Sequence, residues 1–446
     1  MKYAIISLMP LPKRYAGQVP EIVRIWEAEG NFESRIGIWL AQSRARNKLY
    51  GKPNKKQLKE IERGLKLSAE DIEELTLAKG HETNKLLRKV QSKISPAAGN
   101  FIHLGNTSYD VVDTALSLQI KESLEILKKD FVGLSESLKK LALKHKNTLQ
   151  VGRTHGQHAI PQTFGRQVVG WYAEVKRDIE RIELAKQVIS VGRISGEVGT
   201  HVFIEPELEE ETLSQLGLTP DEASTQIISR DRHIEVVALM GINSSTLARI
   251  AENIRSLAIT EIGEVREPFE SDQQQGSSAM PHKRNPELCE RIIGLDREVR
   301  GAMIAEFGAT KVLFERDMSH SSTERYVFPD VFGNLDYMTR LAKRIIDGLE
   351  VFPEKMKRNL EVTHGAIYSS NLLNALIATG KFTRTKAYDL VKRLAQQAID
   401  QELDLRRLVS NDPQISKLLK AKELDELFDP QFYLQNIDVA FKRSGL

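Results

Sequence analysis

Between Thr107 and His145 the chain contains no proline and repeats an apolar residue in steps of four and three: Leu116, Ile120, Leu124, Leu127, Phe131, Leu134, Leu138 and Leu141. This is the heptad seam of a helix that packs lengthwise against others. About 38 residues at ~1.5 Å each make a rod of roughly 57 Å. A helix of that length is held by partners along its flank, because intrinsic propensity alone does not hold it.

The same spacing returns in four further stretches. One helix is expected to start near Pro161 and carry Phe164, Val168, Trp171, Val175 and Ile182. Another spans about Ile227 to Val265 through Met240, Leu247, Ala251, Ile254 and Ala258. A third follows Pro286 with Leu288, Ile292, Leu295, Val299 and Ala302, and the last follows Pro329 with Leu335, Met338, Ala342, Ile345 and Leu349. Five long amphipathic helices predict an all-α fold with a central bundle, and strand-like alternation is nearly absent. The residues up to Asn106 read as shorter helices with polar connections such as Gly51 to Lys56. A border near Val351-Phe352-Pro353 precedes a smaller helical region. The expected division is therefore 1–106, 107–352 and 353–446. The glycine-spaced stretch from Val191 to Gly199 reads as a mobile loop or tight turn; its glycines do not follow a strand, which argues against dinucleotide binding.

A chain of 446 residues exceeds the size at which one core stops growing. Its 64 basic and 61 acidic residues nearly balance, which gives no case for a nucleic-acid or membrane surface but permits local basic pockets for an anionic substrate. Cys289 is the only cysteine, so an intramolecular disulfide and a thiolate metal cluster are both excluded; its helical context predicts a buried structural thiol. Pro10 and Pro12 cut short the mildly apolar run at Met1 to Leu11, which argues against a signal peptide. No apolar stretch reads as long enough to span a bilayer, and a cytoplasmic protein is expected.

Candidate chemistry gathers at helix starts, whose unpaired N–H groups attract anions. Thr107-Ser108-Tyr109-Asp110 opens the longest helix with capping-box spacing. Asn285-Pro286-Glu287 offers an Asn cap and a proline at the first helical position. Ser321-Ser322-Thr323-Glu324-Arg325 follows Arg316-Asp317 and combines hydroxyls with guanidinium groups. Each of these is simple capping or part of an anion site. His155 and His158 share a glycine-flanked loop; a metal site is conceivable there, but no third ligand is evident. His81 is undecided on its own chemistry. The polar loop from Gly276 to Pro286 is either an ordinary inter-helix connection or a lid that carries a nucleophile or base.

That loop, Gly276-Ser277-Ser278-Ala279-Met280-Pro281-His282-Lys283-Arg284-Asn285-Pro286 with Glu290 beyond it, resembles the signature of the fumarase/aspartase superfamily. Within the superfamily the chain is most similar to the adenylosuccinate lyase family. The similar segments are Arg14-Tyr15, residues 103–108, 110–115 and 152–156, Ser224-Thr225-Gln226, Arg230-Asp231-Arg232-His233, residues 315–322 and residues 351–354. The resemblance implies a five-helix bundle that forms a twenty-helix core in a homotetramer, with each active site shared between subunits. It implies no cofactor and no metal.

The resemblance further implies a β-elimination that releases fumarate from a succinyl-purine nucleotide. Ser277 is the implied base, His155 the implied acid and His81 its assistant. Lys283 and Glu290 complete the implied catalytic set. Lys283 and Asn285 would grip the carboxylate whose charge develops in the reaction, next to a helix N-terminus. Thr107, Ser108, Ser278 and Gln226 are implied substrate contacts, as is Glu82. Arg14, Tyr15, Arg316, Ser321 and Arg325 are implied nucleotide and phosphate contacts. The chain departs from the family at Gly80 and Glu82, where Arg and Asp are common, and at Asn106 and Tyr109, where Leu and Thr are commoner. The alternatives are a superfamily lyase or cycloisomerase acting on another dicarboxylate, with carboxymuconate cycloisomerase-like proteins as the nearest competitors, and a helical scaffold that has lost catalysis.

Overall fold

The computed structural model describes residues 11–269 and 279–446. Among them are six helices of more than 20 residues: α1 (Ala28–Tyr50), α2 (Ser108–Lys144), α3 (Phe164–Ile189), α4 (Asp231–Leu257), α5 (Glu287–Phe307) and α6 (Ser319–Asp347). The seam of α2 is buried as its spacing requires: Ile120, Leu124, Leu127, Phe131, Leu134 and Leu138 are fully shielded from solvent. Shorter helices precede and follow these six, and several carry the expected caps. Asn54 accepts from the N–H groups of Lys56 and Gln57 while the Gln57 side chain accepts from Asn54 N–H, a reciprocal capping box.

Three expectations need correction. Residues before Asn106 do not form short helices only, because α1 runs 23 residues until Gly51 stops it in the left-handed conformation, at φ 68°. Pro161 does not start a helix. It lies in a β-hairpin, β1 (Leu149–Thr154) with β2 (Gln157–Thr163), paired with Val151 where the register shifts. Pro329 does not start one either: it sits inside α6, which begins ten residues earlier at Ser319. Its ring removes the helical donor for the carbonyl of Arg325, one turn back.

The stretch from Val191 to Gly199 turns at Glu197–Val198, in line with the tight-turn reading, and the part before the turn is built into the protein. Residues from Val191 to Gly196 are buried, and Val191–Gly192 forms a short parallel pairing with Thr219–Pro220. The Asp110 carboxylate accepts the backbone N–H groups of Ser195 (3.0 Å) and Gly196 (3.2 Å) and lies 2.9 Å from the buried Arg193 guanidinium. Thr114 Oγ1 bonds both the carbonyl and the N–H of Arg193. By length and apolarity α4 could cross a bilayer, contrary to the sequence reading; 61% of its most apolar window is buried inside the protein, as in a core helix. Cys289 is fully buried, as expected.

The chain divides into two compact units, the first comprising 1–132, 177–248 and 292–341, the second 133–176, 249–291 and 342–446. These are units of contact, whereas the regions 1–106, 107–352 and 353–446 are stretches that share a helix length. The first unit has a core of Ile38, Trp39, Ile61, Leu86, Val90, Val111, Ile194 and Leu208, among others. In the second, Leu372, Leu376, Leu390, Leu394, Leu405 and Val409 knit the C-terminal helices together. Val151 from the hairpin packs on Leu360, Ile367 and Tyr368.

Candidate active site

Asp110 Oδ2 accepts the N–H of Thr107 at 2.7 Å, so the start of α2 is capped from its own first turn. Capping fixes Thr107 and Ser108, both half-buried, at the mouth of the helix. It also fixes Tyr109, whose ring lies under the Arg316 guanidinium with only 3.4 Å between Cζ and the ring centroid. Arg316 donates from Nη1 to Gln226 Oε1 at 2.9 Å, and Gln226 Nε2 donates to the Glu197 carbonyl at 3.0 Å. Two residues expected from separate motifs, Gln226 and Arg316, are thus joined beside the ring of Tyr109.

A second arginine joins them. Arg325, on the first turns of α6, donates to Glu82 Oε1 at 3.0 Å, while Arg35 from α1 donates to Glu82 Oε2 at 3.1 Å. Burial works to raise the Glu82 pKa, but the fields of Arg35 and Arg325 outweigh it and bring the carboxyl down to about 2. Glu82 opens the helix Glu82–Gln91, with His81 as its N-cap residue. The His81 ring makes no capping hydrogen bond and is exposed, which leaves it open to a substrate.

The start of α6 is held by Asp317, which accepts from Leu313 N–H and from Ser319 N–H and Oγ–H. Those hydrogen bonds bring the Asp317 carboxyl to about 2. Ser321 is largely buried here, its hydroxyl donating to the Met318 carbonyl at 3.3 Å. Underneath, Arg230 makes a bidentate pair with Asp113 (2.8 and 2.7 Å) and also bonds Glu324. Fully desolvated pairs of this kind fix geometry more than they add stability. Arg14 is exposed, and Tyr15 packs its ring 4.6 Å from that of Tyr337.

Another expected group lies in the second unit. His155 and Gly156 form the two-residue tip of the hairpin, with φ of 54° and 75°. Positive φ at both positions is the mark of a type I′ connection, and His is among the few side chains that enter that region at modest cost. The hairpin therefore presents the exposed His155 ring at its extremity. Its base is anchored by the fully buried Glu264 carboxylate, which accepts from Arg153 (2.6 and 3.2 Å), Gln150 (2.8 Å) and Asn359 (2.7 Å). His158, next on the hairpin, has its pKa lowered by burial and by Arg153, with Glu264 opposing.

Lys283 is exposed, its N–H bonded to the Met280 carbonyl at 3.0 Å. Asn285 is half-buried ahead of α5. The N–H groups of Leu288 (3.0 Å) and Cys289 (3.1 Å) in the first turn donate to the buried Glu267 carboxylate. These N–H groups are therefore already satisfied and do not reinforce Lys283. Glu290 is exposed on the first turn of α5. Gly276, Ser277 and Ser278 lie outside the described residues. Among the described residues, no group of three or more His, Cys, Asp or Glu side chains is placed to hold a metal ion.

Comparison with known proteins bears directly on this arrangement. Residues 13–301 match the model of the lyase family, and residues 365–444 that of the adenylosuccinate lyase C-terminus. An adenylosuccinate lyase of Aquifex aeolicus is 40% identical over 95% of this chain and 97% of its own length. One from Thermotoga maritima is 39% identical over 94% and 96%. The chain belongs to the adenylosuccinate lyase family. The fold is shared more widely in the superfamily: a 3-carboxy-cis,cis-muconate lactonizing enzyme from Pseudomonas putida superposes with a TM-score of 0.85 at 29% identity, covering 95% of this chain and 96% of the other.

Membership gives the chain's departures from the family pattern a physical setting. Tyr109 is the ring on which Arg316 rests. Asn106 accepts from the buried Gln42 side chain at 2.7 Å. Glu82 has a buried guanidinium behind it, from Arg35. Reasoning from motifs missed Arg35 altogether, because it sits mid-helix in α1 and only its polarity on a buried face could have betrayed it.

Proposed function

We propose that this protein cleaves adenylosuccinate to AMP and fumarate, and succinyl-aminoimidazole-carboxamide ribotide to its carboxamide product and fumarate, as a cytoplasmic homotetramer in purine biosynthesis. The observation that carries the reading is 40% identity to a named adenylosuccinate lyase along almost the full length of both chains. The donors available support it: Arg316 lies over the ring of Tyr109 at the start of α2, and Ser321 and Arg325 lie on the first turns of α6, residue types suited to phosphate and carboxylate oxygens.

In this reading Ser277 removes the proton from the succinyl carbon beside a carboxylate. Lys283 and Asn285 take up the charge that develops there, with Ser278 as a further substrate contact and Glu290 as a further catalytic residue. His155 protonates the departing purine nitrogen as the general acid, and its place on a hairpin tip lets it reach a substrate held elsewhere. His81 orients or polarises the substrate. Thr107, Ser108 and Gln226 bind the succinyl end. Arg14, Tyr15, Arg316, Ser321 and Arg325, with Glu82 behind the last, bind the nucleotide end. Residues of one site come from several subunits, so dissociated chains are inactive.

The purified protein given adenylosuccinate should release fumarate and AMP in equal amounts, and should elute as a tetramer in size-exclusion chromatography. A tetrameric preparation that releases no fumarate would overturn the substrate assignment. Turnover of a non-nucleotide dicarboxylate without protection by AMP would favour a cycloisomerase-like or other superfamily activity instead.

A further inference from the structure

Arg35 is 5% exposed, and a guanidinium so buried is expensive unless its donors are used. One donor goes to Glu82 Oε2; Nε and Nη1 are closed to solvent and have no hydrogen-bond partner among the described residues. The other oxygen of the same carboxylate holds Arg325, whose own side chain is 62% exposed. The three groups form a line from the interior to the surface: a fixed cation, a carboxylate with one oxygen turned each way, and a mobile-natured arginine at the end. A packing role alone does not account for a charged side chain at position 35, since an apolar residue there would pack without the desolvation cost.

We infer that Arg35 is a positioning residue, which acts through Glu82 to hold the Arg325 guanidinium in place for the phosphate of the substrate. A free arginine on an exposed turn samples many rotamers, and ordering it on binding costs affinity. With Glu82 pinned from behind, that ordering is complete before substrate arrives. The longer Glu spans the gap between two guanidinium groups on different helices; a shorter carboxylate would reach one of them. The inference rests on the reading of Arg325 as a phosphate contact.

The test compares adenylosuccinate with its dephosphorylated nucleoside for the full-length protein and four variants: Arg35→Met, Arg35→Lys, Glu82→Gln and Arg325→Met. Charge-assisted hydrogen bonds of this kind carry roughly tenfold to hundredfold effects. Arg35→Met should lower kcat/KM for the nucleotide by roughly that factor, mostly through KM, and leave the nucleoside nearly unchanged, so the preference for the phosphorylated substrate collapses. Glu82→Gln, at a partly exposed position, should likewise narrow the preference for the phosphorylated substrate, and Arg35→Lys should recover most of it. If Arg35→Met depresses both substrates alike, with a lower Tm as the only common cause, Arg35 is structural and the inference fails. If Arg325→Met leaves the phosphate preference intact, the reading of Arg325 fails instead. Collapse in Arg325→Met without collapse in Arg35→Met or Glu82→Gln overturns the clamp alone.

Discussion

The guanidinium of Arg316 rests on the face of Tyr109, 3.4 Å from the ring centroid, while it donates to Gln226. A cation on an aromatic face is held without being neutralised, so Arg316 keeps its full charge for a bound anion. The opposite solution is found at Arg325, where a carboxylate does the holding. Two arginines with the same proposed role are thus positioned by different physics, and they should respond differently to substitution.

Replacing Tyr109 by Thr removes the ring and should raise KM for the nucleotide by about 2- to 30-fold, which corresponds to ~0.5–2 kcal/mol for a cation–π contact. Tyr109→Phe keeps the face and should stay close to the parent. Steady-state kinetics on both variants check this, and equal losses in Thr and Phe would point to the hydroxyl instead.

Gly156→Val should lower kcat far more than it raises KM. A β-branched residue at φ 75° costs about 1–2 kcal/mol and shifts the tip that carries His155. Glu264, which ties down the base of the hairpin, is untouched, so circular dichroism should show the helices unchanged. A variant with normal kcat would dissociate His155 geometry from turnover.

Glu267→Ala leaves the Leu288 and Cys289 N–H groups buried without acceptors. The expected cost is roughly 1–3 kcal/mol for each unpaired group, seen as a clear fall in Tm. Glu267→Gln keeps an acceptor for one of the two N–H groups but turns an amide donor toward the other, so it should recover only part of that loss.

Glu306, on α5, is fully buried, and neither carboxyl oxygen has a partner among the described residues. Burial, with Glu324 nearby adding to it and Arg230 opposing, pushes its pKa up to about 8 from 4.5. The folded protein therefore keeps this proton across a window in which the unfolded chain has already released it. Stability contributed by the protonated form is present at low pH and declines as pH rises from about 4.5 to about 8, by on the order of a few kcal/mol. Glu306→Gln removes the titration, so the variant's Tm should gain on the parent as pH rises from 5 to 8.5. A constant Tm difference between the two across that range would rule this out.

Long periodic helices were readable from spacing alone, since a buried seam such as Ile120 to Leu138 leaves a pattern that nothing else mimics. Elements whose stability is borrowed from elsewhere were not readable. The hairpin hides its alternation behind the irregularity at Gly152 and behind Pro161, and its turn uses His-Gly in place of the commoner Asn-Gly. Pro329 argued for a helix start by its local preference, and α6 overrides that with packing: Phe328, Val331 and Phe332 around it are all buried. The carboxylate at the start of α5 was not readable either, because Glu267, 21 residues from Leu288, cannot be paired with it by local rules. The proposed site residues lay within recognisable motifs, whereas Arg35 and Glu264 act at a distance in sequence and surfaced only when the chain was folded.

One contact at the edge of this cluster has an optical consequence. The Trp39 indole N–H donates to His103 Nδ1 at 3.2 Å, in a segment that leads directly into Thr107 and Ser108. Burial, with His81 adding to it, lowers the His103 pKa to about 4, so the imidazole is neutral and accepts that hydrogen bond at ordinary pH. The other two tryptophans are engaged elsewhere, Trp26 with Ser123 and Trp171 with Asn253. The chain thus carries a native fluorophore wired to the turn at which the succinyl group is proposed to bind, and its emission offers a label-free signal of occupancy there.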